Sequence, residues 1–185
     1  MRKITAFIFL TINGYFKGLD EDISWHIHGE EGNEFSESQL KADNILLFGR
    51  KTYEMMMSFW PTKMAYDCYP NVAERMNNSE KIVLTNSLKE ADWMNTKIFS
   101  GNTIEQIREL KNTSGKNITI LGSGTIINQL TDAGLIDQYE FLIDPIAIGK
   151  GTPLFNNISS KLELTLIESK LFKKSGAVLL TYARK

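Results

Sequence analysis

The sequence predicts an α/β fold in three layers, with a mainly parallel, twisted sheet, helices on both faces and a C-terminal antiparallel hairpin. Apolar, β-branched runs alternate with helical patterns along most of the chain, which is typical of βαβ units and a parallel sheet. The tail differs, because "KLELTLIESKLF" (161–172) and "GAVLLTYARK" (176–185) are two strand-like runs joined only by "KKS". Such a pair indicates an antiparallel hairpin at the end of the sheet.

Short apolar runs and helical patterns give each remaining element its predicted place. The predicted strands cover 3–12, 44–48, 81–85, 97–99, 117–121 and 138–144, and the predicted helices cover 33–42, 51–58, 66–77, 102–111 and 124–132. Residues 45–48 leave no polar face, so that strand is expected to be covered on both sides. Ser123 or Thr125 is expected to cap the last helix, and Gly134 to follow its end.

Length and composition are those of an ordinary globular protein and predict one domain over residues 1–185. The formal net charge is −1 and no Lys/Arg-rich stripe stands out, which argues against a nucleic-acid partner. Cys68 is the only cysteine, so an internal disulfide is excluded and a reducing compartment is favoured. The apolar N-terminus is short and meets the turn signal "NG", so we interpret it as the first strand. No stretch is long enough to span a membrane, and we expect a soluble cytoplasmic protein.

The segment "ILLFGRKTYEMM" (45–56) sets a cation where a buried strand turns into a helix. Gly49 allows a sharp turn, and good helix formers follow it. The first turn of a helix carries free N–H groups and the positive end of the helix dipole. Arg50 beside them makes a site suited to a phosphate, although Arg50 is equally compatible with an ordinary surface residue.

The segment "ITILGSGTIINQL" (118–130) repeats this strand–glycine–helix arrangement. Gly122, Ser123 and Gly124 let backbone N–H groups face outward, as a pyrophosphate at a helix N-terminus requires. A lone "GSG" is also compatible with a simple tight turn, and Ile127 stands where a full G-x-G-x-x-G pattern needs glycine. If both junctions lie at the carboxyl edge of the sheet, one dinucleotide could contact both.

A third polar turn lies between the two glycine junctions. "KIVLTNSLKE" (81–90) ends a buried strand in three hydrogen-bonding side chains without a carboxylate. An NAD site usually needs an acid for the ribose hydroxyl, whereas the extra phosphate of NADPH needs cations and hydroxyls. Arg50, Thr52, Thr85 and Asn86 would suit that phosphate, and a plain turn is the alternative.

Together these segments resemble the dihydrofolate reductase-like superfamily. The closest resemblance is to stand-alone proteins akin to the reductase domain of the bifunctional riboflavin-biosynthesis deaminase/reductase. It is carried by "TINGYF", "ADNILLFGRKTYEMM", "FWP", "KIVLTNS", "ILGSGTIINQL", "GLIDQYEFLIDP" and "GKGTPLF". By this resemblance the NADPH-binding residues are Gly49, Arg50, Thr52, Thr85, Asn86, Gly122, Ser123, Gly124 and Thr125.

The resemblance implies hydride transfer from NADPH to a pterin- or pyrimidine-like ring. The activity would be like that of 5-amino-6-(5-phosphoribosylamino)uracil reductase or of dihydrofolate reductase, and residues 13–18 would lie beside the nicotinamide. Phe141 and Leu142 occupy the strand where folate reductases usually have a threonine, which argues against true dihydrofolate reduction. Beyond Lys17 and Lys150, the chain lacks the cations that a phosphoribosyl substrate would favour.

A proton must also reach the substrate, usually from a positioned carboxylate or water. Dihydrofolate reductases carry an acid on the helix before the "GR" turn, and by this resemblance Glu34 is the catalytic candidate. Glu37 one turn further and Asp22 in the preceding loop are rivals. Because acids also favour a solvated helix start, these carboxylates have a purely structural explanation as well.

His26 and His28 in "SWHIHG" have no third metal ligand of obvious spacing, so no metal site is predicted. We expect them in a loop at the mouth of the active site. Trp25 in the same loop is expected either to cover the substrate cavity or simply to pack.

Two other functions remain open. A nucleotide-binding homologue without turnover would keep the two glycine junctions yet lack a working proton donor. A sequestering or structural homologue would have lost the cofactor, which the intact "GRKT" and "GSGT" argue against. The resemblance also implies a possible homodimer, for which the apolar terminal hairpin offers a surface.

Overall fold

The computed structural model describes residues 1–26, 29–40 and 42–185. The strands are β1 (Ile4–Thr11), β2 (Tyr15–Lys17), β3 (Ile45–Gly49), β4 (Lys81–Leu84), β5 (Thr96–Phe99), β6 (Ile118–Leu121), β7 (Gln138–Asp144), β8 (Thr152–Pro153), β9 (Leu164–Leu171) and β10 (Val178–Arg184). The α-helices are α1 (Glu30–Leu40), α2 (Arg50–Phe59), α3 (Lys63–Cys68), α4 (Pro70–Asn78), α5 (Thr103–Asn112) and α6 (Gly124–Asp132), and a short 3₁₀ turn covers Leu19–Glu21. Within these ranges no helix has both the length and the apolar character needed to cross a membrane.

Eight strands form the main sheet, in the spatial order β5-β4-β3-β6-β1-β7-β10-β9. The first six are parallel, and β10 and β9 complete the sheet as antiparallel neighbours. The predicted α/β class, with its C-terminal antiparallel pair, is therefore confirmed. Because the six strands run the same way, their carboxyl ends meet at one edge of the sheet, where α/β proteins commonly bind ligands.

One face of the sheet is covered by α5 and α6. Alternate residues of the central strand β1 point to this face, and Ile4, Ala6 and Ile8 are all buried there. Ile107 of α5 and Ile127 of α6 pack on the same cluster and are fully buried. The chain thus seals this face, which leaves the other face for a ligand.

The second face is covered by two separate apolar clusters. Tyr53 and Met76 bring α2 and α4 onto β3 and β4, while Phe35 brings α1 onto β7 and β10. Between the clusters, strands β6 and β1 present Phe7, Phe9, Thr119 and Leu121, all only half-buried. Half-exposed side chains at the centre of a sheet indicate an incompletely covered surface, which we call the open strip.

The structure corrects the single helix predicted over 66–77. Two helices, α3 and α4, meet at Tyr69, whose φ of −140° and ψ of 59° are not helical. Pro70 explains the break, because its ring disfavours a helical conformation in the preceding residue and proline is well placed at the start of a new helix.

A small second sheet joins two segments that the sequence left apart. β2 in "TINGYF" pairs antiparallel with β8 in "GKGTPLF". Gly151 has a φ of 157°, and a side chain there would collide with the carbonyl oxygen of Lys17. The glycine is therefore required for the close approach of the two strands.

The outermost strand of the terminal hairpin, β9, is an exposed edge. Leu166, Ile167 and Leu171 are more than half exposed. An apolar edge strand offers unpaired backbone groups to another chain. Homodimerisation through this surface stays a prediction.

Candidate active site

The two strand–glycine–helix junctions are neighbours at the carboxyl edge of the sheet. β3 and β6 pair in parallel with Leu47 opposite Ile120. Gly49 and Gly122 each lie two residues beyond this pair, so the two turns emerge side by side. The arrangement on which the predicted dinucleotide site depended is therefore present.

Ser123 links the two junctions directly. Its Oγ accepts a hydrogen bond from the backbone N–H of Gly49 at 2.7 Å and donates one to Oγ1 of Thr52 at 2.9 Å. Ser123 occupies the N-cap position of α6, but its side chain makes no capping hydrogen bond, so the predicted cap is wrong. A φ of 59° turns the residue into the left-handed region, which costs about 1 kcal/mol and points Oγ toward the neighbouring turn.

The helices that begin at these junctions keep their first N–H groups free of side-chain caps. Neither Gly49 before α2 nor Ser123 before α6 makes a side-chain capping bond. By contrast, Thr62 and Asn102 accept hydrogen bonds from backbone N–H groups in the first turns of α3 and α5. Two adjacent uncapped helix starts, each the positive end of a dipole, form a site suited to anions.

Arg50 adds a cation to this site at the start of α2. Its Nη1 lies 2.9 Å from both carboxylate oxygens of Glu54, one turn further along the helix. The two side chains are 41% and 43% exposed. An exposed pair of this kind contributes only about 0–1 kcal/mol, so Arg50 can turn to a phosphate at little cost.

Glu21 holds two further cations beside the same helix start. Its carboxylate accepts hydrogen bonds from Nζ of Lys17 and Nζ of Lys51, each at 2.8 Å. The hydrogen bonds from Lys17 and then Lys51 hold the pKa of Glu21 below its usual value. This bridge connects the loop after β2 to α2, and sequence reasoning missed it because Lys51 is 30 positions away from Glu21.

Thr85 and Asn86 stabilise the turn after β4. Thr85 is buried, and its Oγ1 accepts hydrogen bonds from the backbone N–H groups of Ser87 and Leu88 at 3.1 and 3.2 Å. Oδ1 of the exposed Asn86 accepts from the backbone N–H of Gly101 at 2.8 Å. Because Gly49 pairs with Leu84 in the sheet, Arg50 and Thr85 both lie one residue beyond a register pair. Asn86 therefore lies at the same edge of the sheet. Among the described residues only its Oδ1 is hydrogen-bonded, so its amide nitrogen can donate to a ligand.

Phe16 explains why position 124 is a glycine. A Cβ on Gly124 would lie 2.6 Å from the ring of Phe16, so the ring fills the space that a side chain would need. Residues 13–18, predicted to lie beside the nicotinamide, are thereby packed on the predicted pyrophosphate loop. Thr125, the next predicted cofactor residue, is exposed in the first turn of α6.

The predicted proton donors do not converge on the open strip. Glu34 is exposed on α1, while its neighbour Phe35 faces the core. Oε1 of Glu37 accepts a hydrogen bond from Asn71, and Asp22 accepts one from the backbone N–H of Ser24, which lowers the pKa of Asp22. A catalytic role for Glu34 stays a prediction.

A buried histidine–carboxylate pair lies at the same edge. Nδ1 of His26 is 2.8 Å from Oδ2 of Asp144, and the two side chains are 7% and 3% exposed. The His26 ring stacks on Phe9 of the open strip. Sequence reasoning placed His26 at the mouth of the site but missed Asp144, which ends a buried strand just before Pro145. The same signal that selected "TNS" after β4, a polar side chain ending a buried strand, could have selected Asp144. His28 lies outside the described residues.

The two apolar residues of β7 that argued against a folate substrate face opposite sides of the sheet. Phe141 belongs to the cluster under α6, whereas Leu142 belongs to the cluster beside α1. Leu142 is the register partner of Phe9. Only Leu142 is therefore placed beside the open strip.

Comparison with known proteins identifies the family of this chain. The RibD C-terminal domain family matches residues 2–178. The chain belongs to that family. Two Bacillus subtilis (strain 168) relatives are similar along their whole length: the uncharacterized protein YyaP is 26% identical over 98% of this chain and 94% of its own, and the uncharacterized protein YwjB is 27% identical over 99% and 98%.

Solved structures with this fold include a putative riboflavin biosynthesis protein from Shewanella sp. PV-4, with a TM-score of 0.74 and 24% identity over 99% of both chains. Dihydrofolate reductase from Enterococcus faecalis, complexed with NADP(H), has a TM-score of 0.65 and 18% identity over 99% of this chain and 96% of its own. The dihydrofolate-reductase-like fold expected from the sequence is thus confirmed. Membership of the RibD C-terminal domain family supports a reductase-type function.

Proposed function

We propose that this RibD C-terminal-domain protein is an NADPH-dependent reductase that transfers a hydride to a pterin- or pyrimidine-like heterocycle. The observation that carries the proposal is the pair of adjacent, uncapped helix starts linked by Ser123. They lie beside an open strip on the only incompletely covered face of the sheet, as far as the described residues extend. Anion-binding turns next to a half-buried aromatic surface suit a dinucleotide and a flat acceptor.

The residues at the edge of the sheet fit NADPH better than NADH. The pyrophosphate would lie at the first turn of α6, whose N–H groups have no side-chain cap, whereas the N–H of Gly122 is already used by the carbonyl of Phe7. The additional phosphate would meet Arg50, with Asn86 beside it at the end of β4. The segment that follows β4 offers Thr85 and Asn86 and no carboxylate for a ribose hydroxyl, which favours the phosphorylated cofactor. NADPH would supply the hydride, and the chain would orient the donor and exclude water.

The open strip suits a flat, nitrogen-containing ring as substrate. Phe7 offers half-buried aromatic surface at the centre of the sheet, and Phe9 beside it carries the stacked ring of His26. Leu142 beside Phe9 gives the ring no hydrogen-bond partner where folate reductases usually have a threonine. We therefore expect smaller pterins and pyrimidines to be better acceptors than dihydrofolate.

A nucleotide-binding homologue without turnover is the second candidate. The exposed position of Glu34 favours it, because the carboxylate expected to supply a proton is directed away from the core. Oxidation of NADPH in the presence of a panel of dihydropterins and pyrimidines separates the two functions. Consumption of NADPH above the rate without protein supports the reductase, whereas tight binding without consumption supports the second candidate.

A titration followed by tryptophan fluorescence tests the cofactor assignment. We expect the protein to bind NADPH more tightly than NADH, and Arg50→Ala to weaken NADPH about 10- to 100-fold, as expected for loss of a charge-assisted hydrogen bond of about 1.5–3 kcal/mol. NADH affinity should change little, since NADH lacks the phosphate.

Arg108→Ala is the matched control for this titration. Arg108 is also a half-exposed helical arginine paired with a nearby glutamate, but it lies on α5 away from the glycine junctions. It should leave both affinities unchanged. If Arg50→Ala lowers the affinities for NADPH and NADH equally, the proposed contact between Arg50 and the additional phosphate is contradicted. If the unmodified protein binds neither cofactor, the reductase proposal is overturned.

A further inference from the structure

His26 and Asp144 form a buried ionisable pair that packing alone does not require. Asp144 ends β7 at the carboxyl edge, and His26 comes from the loop after the 3₁₀ turn, 118 residues away in the chain. Burying a carboxylate is costly unless a partner compensates it, and His26 Nδ1 at 2.8 Å is such a partner. A buried ionisable pair at the edge of the sheet where α/β proteins bind ligands is a candidate for chemistry.

The pair lies on the open strip. The rings of His26 and Phe9 are stacked, with centroids 3.7 Å apart and planes inclined by 13°. Two residues earlier on β1, the carbonyl of Phe7 accepts a hydrogen bond from the backbone N–H of Gly122 at 3.0 Å. Two residues of a strand span about 7 Å, so the imidazole lies close to the proposed pyrophosphate turn. A ring that receives a hydride beside this turn would be within reach of His26.

A buried donor beside the pair points to a ligand as well. The indole of Trp25 is 6.4 Å from the His26 ring, centroid to centroid, and Trp25 is only 8% exposed. Its Nε1 is buried with no hydrogen-bond partner in the part of the chain that the structure describes. Buried indole N–H groups usually have an acceptor, which a bound heterocycle rich in nitrogen and oxygen would supply.

The orientation of the imidazole assigns its two nitrogens different roles. An ionised carboxylate can only accept a hydrogen bond, so the contact with Asp144 requires Nδ1 to be the donor, and Nε2 is the second nitrogen at which the ring can give or take up a proton. A carboxylate that holds a histidine in this way also stabilises the positive ring by a charge-assisted hydrogen bond.

We propose that His26 is the proton donor of the reductase and that Asp144 positions it. The inference rests on the proposed function. The hydride of NADPH forms a new C–H bond at the carbon of a ring C=N bond, the π electrons move to the nitrogen, and Nε2 of His26 gives that nitrogen its proton. NADPH is oxidised by two electrons, the heterocycle is reduced by two, and neutral His26 regains its proton from water.

Two hydride acceptors distinguish proton donation by His26 from any other role of this residue. One is a dihydropterin with a neutral C=N bond, and the other is the same dihydropterin methylated at that nitrogen, which is already cationic and needs no proton. His26→Gln should lower the rate with the neutral acceptor about 100-fold or more, the usual contribution of general acid catalysis, and leave the rate with the cationic acceptor nearly unchanged. Asp144→Asn should show the same selectivity with a smaller loss.

A second readout does not depend on turnover. In NMR spectra without cofactor, the histidine ring signal that disappears in His26→Gln should shift when an oxidised pterin is added to the unmodified protein. NADPH affinity and thermal stability of both variants should be measured alongside, and His26→Asn serves if His26→Gln does not fold.

Each other outcome has a definite meaning. Equal losses with both acceptors would show that His26 supports binding or folding only, and a faster rate in His26→Gln would show that the imidazole blocks the strip. If Glu34→Gln, and not the His26 variants, lowers the rate with the neutral acceptor only, Glu34 is the proton donor. Each of these overturns the inference while the reductase stands. If the unmodified protein reduces neither acceptor, the proposed function itself fails.

Discussion

The two edges of the parallel sheet use polar side chains in opposite ways. At the amino edge, Lys81 and Arg2 each donate hydrogen bonds to several backbone carbonyls. At the carboxyl edge, Arg50 and Lys51 are exposed and pair with exposed carboxylates, while the starts of α2 and α6 carry no side-chain cap. The difference teaches which polar groups stabilise the fold and which remain available to a ligand.

Lys81 is the clearest case at the amino edge. It begins β4, is 1% exposed and places its Nζ 4.6 Å from the ring centroid of Trp93. Nζ donates hydrogen bonds to the carbonyls of Met76, Asn77 and Ser79, at 2.8, 2.9 and 2.7 Å. Burial lowers the pKa of Lys81 to about 8, so the amine is still mainly protonated at neutral pH and has three N–H donors for the end of α4.

Arg2 follows the same rule. The guanidinium of Arg2 donates to the backbone carbonyls of Ser114 and Lys116 at 2.9 and 2.6 Å and so closes the loop before β6. Asp137, just before β7, accepts hydrogen bonds from the backbone N–H of Ile4 and from Lys111. These contacts connect the starts of neighbouring strands and use the polar groups of Arg2 and Asp137 to stabilise the fold.

The largest effect on stability is expected at the amino edge. Lys81→Met should lower the free energy of unfolding by about 3 kcal/mol, because buried carbonyls at the end of α4 lose their donors. Urea denaturation measures this loss, and NADPH affinity of the folded protein should not change. Lys97→Met, an exposed lysine on the neighbouring strand β5, is the control and should cost little. A small effect of Lys81→Met would show that the amino edge is no more structural than the other.

A smaller loss of stability, with a larger loss of binding, is expected at the carboxyl edge. Ser123→Ala should lower the free energy of unfolding by about 1–2 kcal/mol, because the N–H of Gly49 loses its acceptor. NADPH affinity should fall more than this, since the two glycine junctions are no longer linked. Ser58→Ala removes a comparable hydroxyl from an exposed position of α2 and should change neither the free energy of unfolding nor the NADPH affinity. The contrast between the edges fails if Ser123→Ala lowers stability and leaves NADPH affinity intact.

The smallest expected effect is a gain of stability on substitution of Glu140, whereas the two substitutions above lower stability. Glu140 is a buried carboxyl on β7, and burial raises its pKa although a hydrogen bond from Gln138 partly opposes the rise. Because the folded state then holds its proton to higher pH than the unfolded state, stability falls as the pH rises above the ordinary value of 4.5. Glu140→Gln should therefore raise the melting temperature at neutral pH and leave it unchanged well below pH 4.5.

The exposed Glu109 on α5 provides the control for this substitution. Glu109→Gln should leave the melting temperature unaltered at either pH. A lower melting temperature of Glu140→Gln at neutral pH would show that the charged carboxylate is compensated in the fold, as the ions of the amino edge are.

Much of the fold could be predicted because its signals are local. The buried runs that became β3, β4, β6 and β7 are continuous in sequence, and the glycines that end β3 and β6 mark turns by their own backbone freedom. The helix break at Tyr69 was missed although Pro70 indicates it, because the apolar spacing continued across the proline. The proposed cofactor residues were predicted from the family resemblance, which rests on equally local segments, the turns and first helical turns that follow buried strands.

The sequence by itself determined the order along the chain of the eight strands of the main sheet, the positions of the two glycine junctions and the absence of a carboxylate in the turn after β4. Only the tertiary structure decided that Ser123 bridges those junctions, that Phe16 packs on Gly124, and that His26 meets Asp144 on Phe9. The physical reason is that propensities, turns and apolar periodicity act between residues a few positions apart. The buried pair joins residues 118 positions apart, which become neighbours only once the parallel sheet brings the end of β7 beside β1.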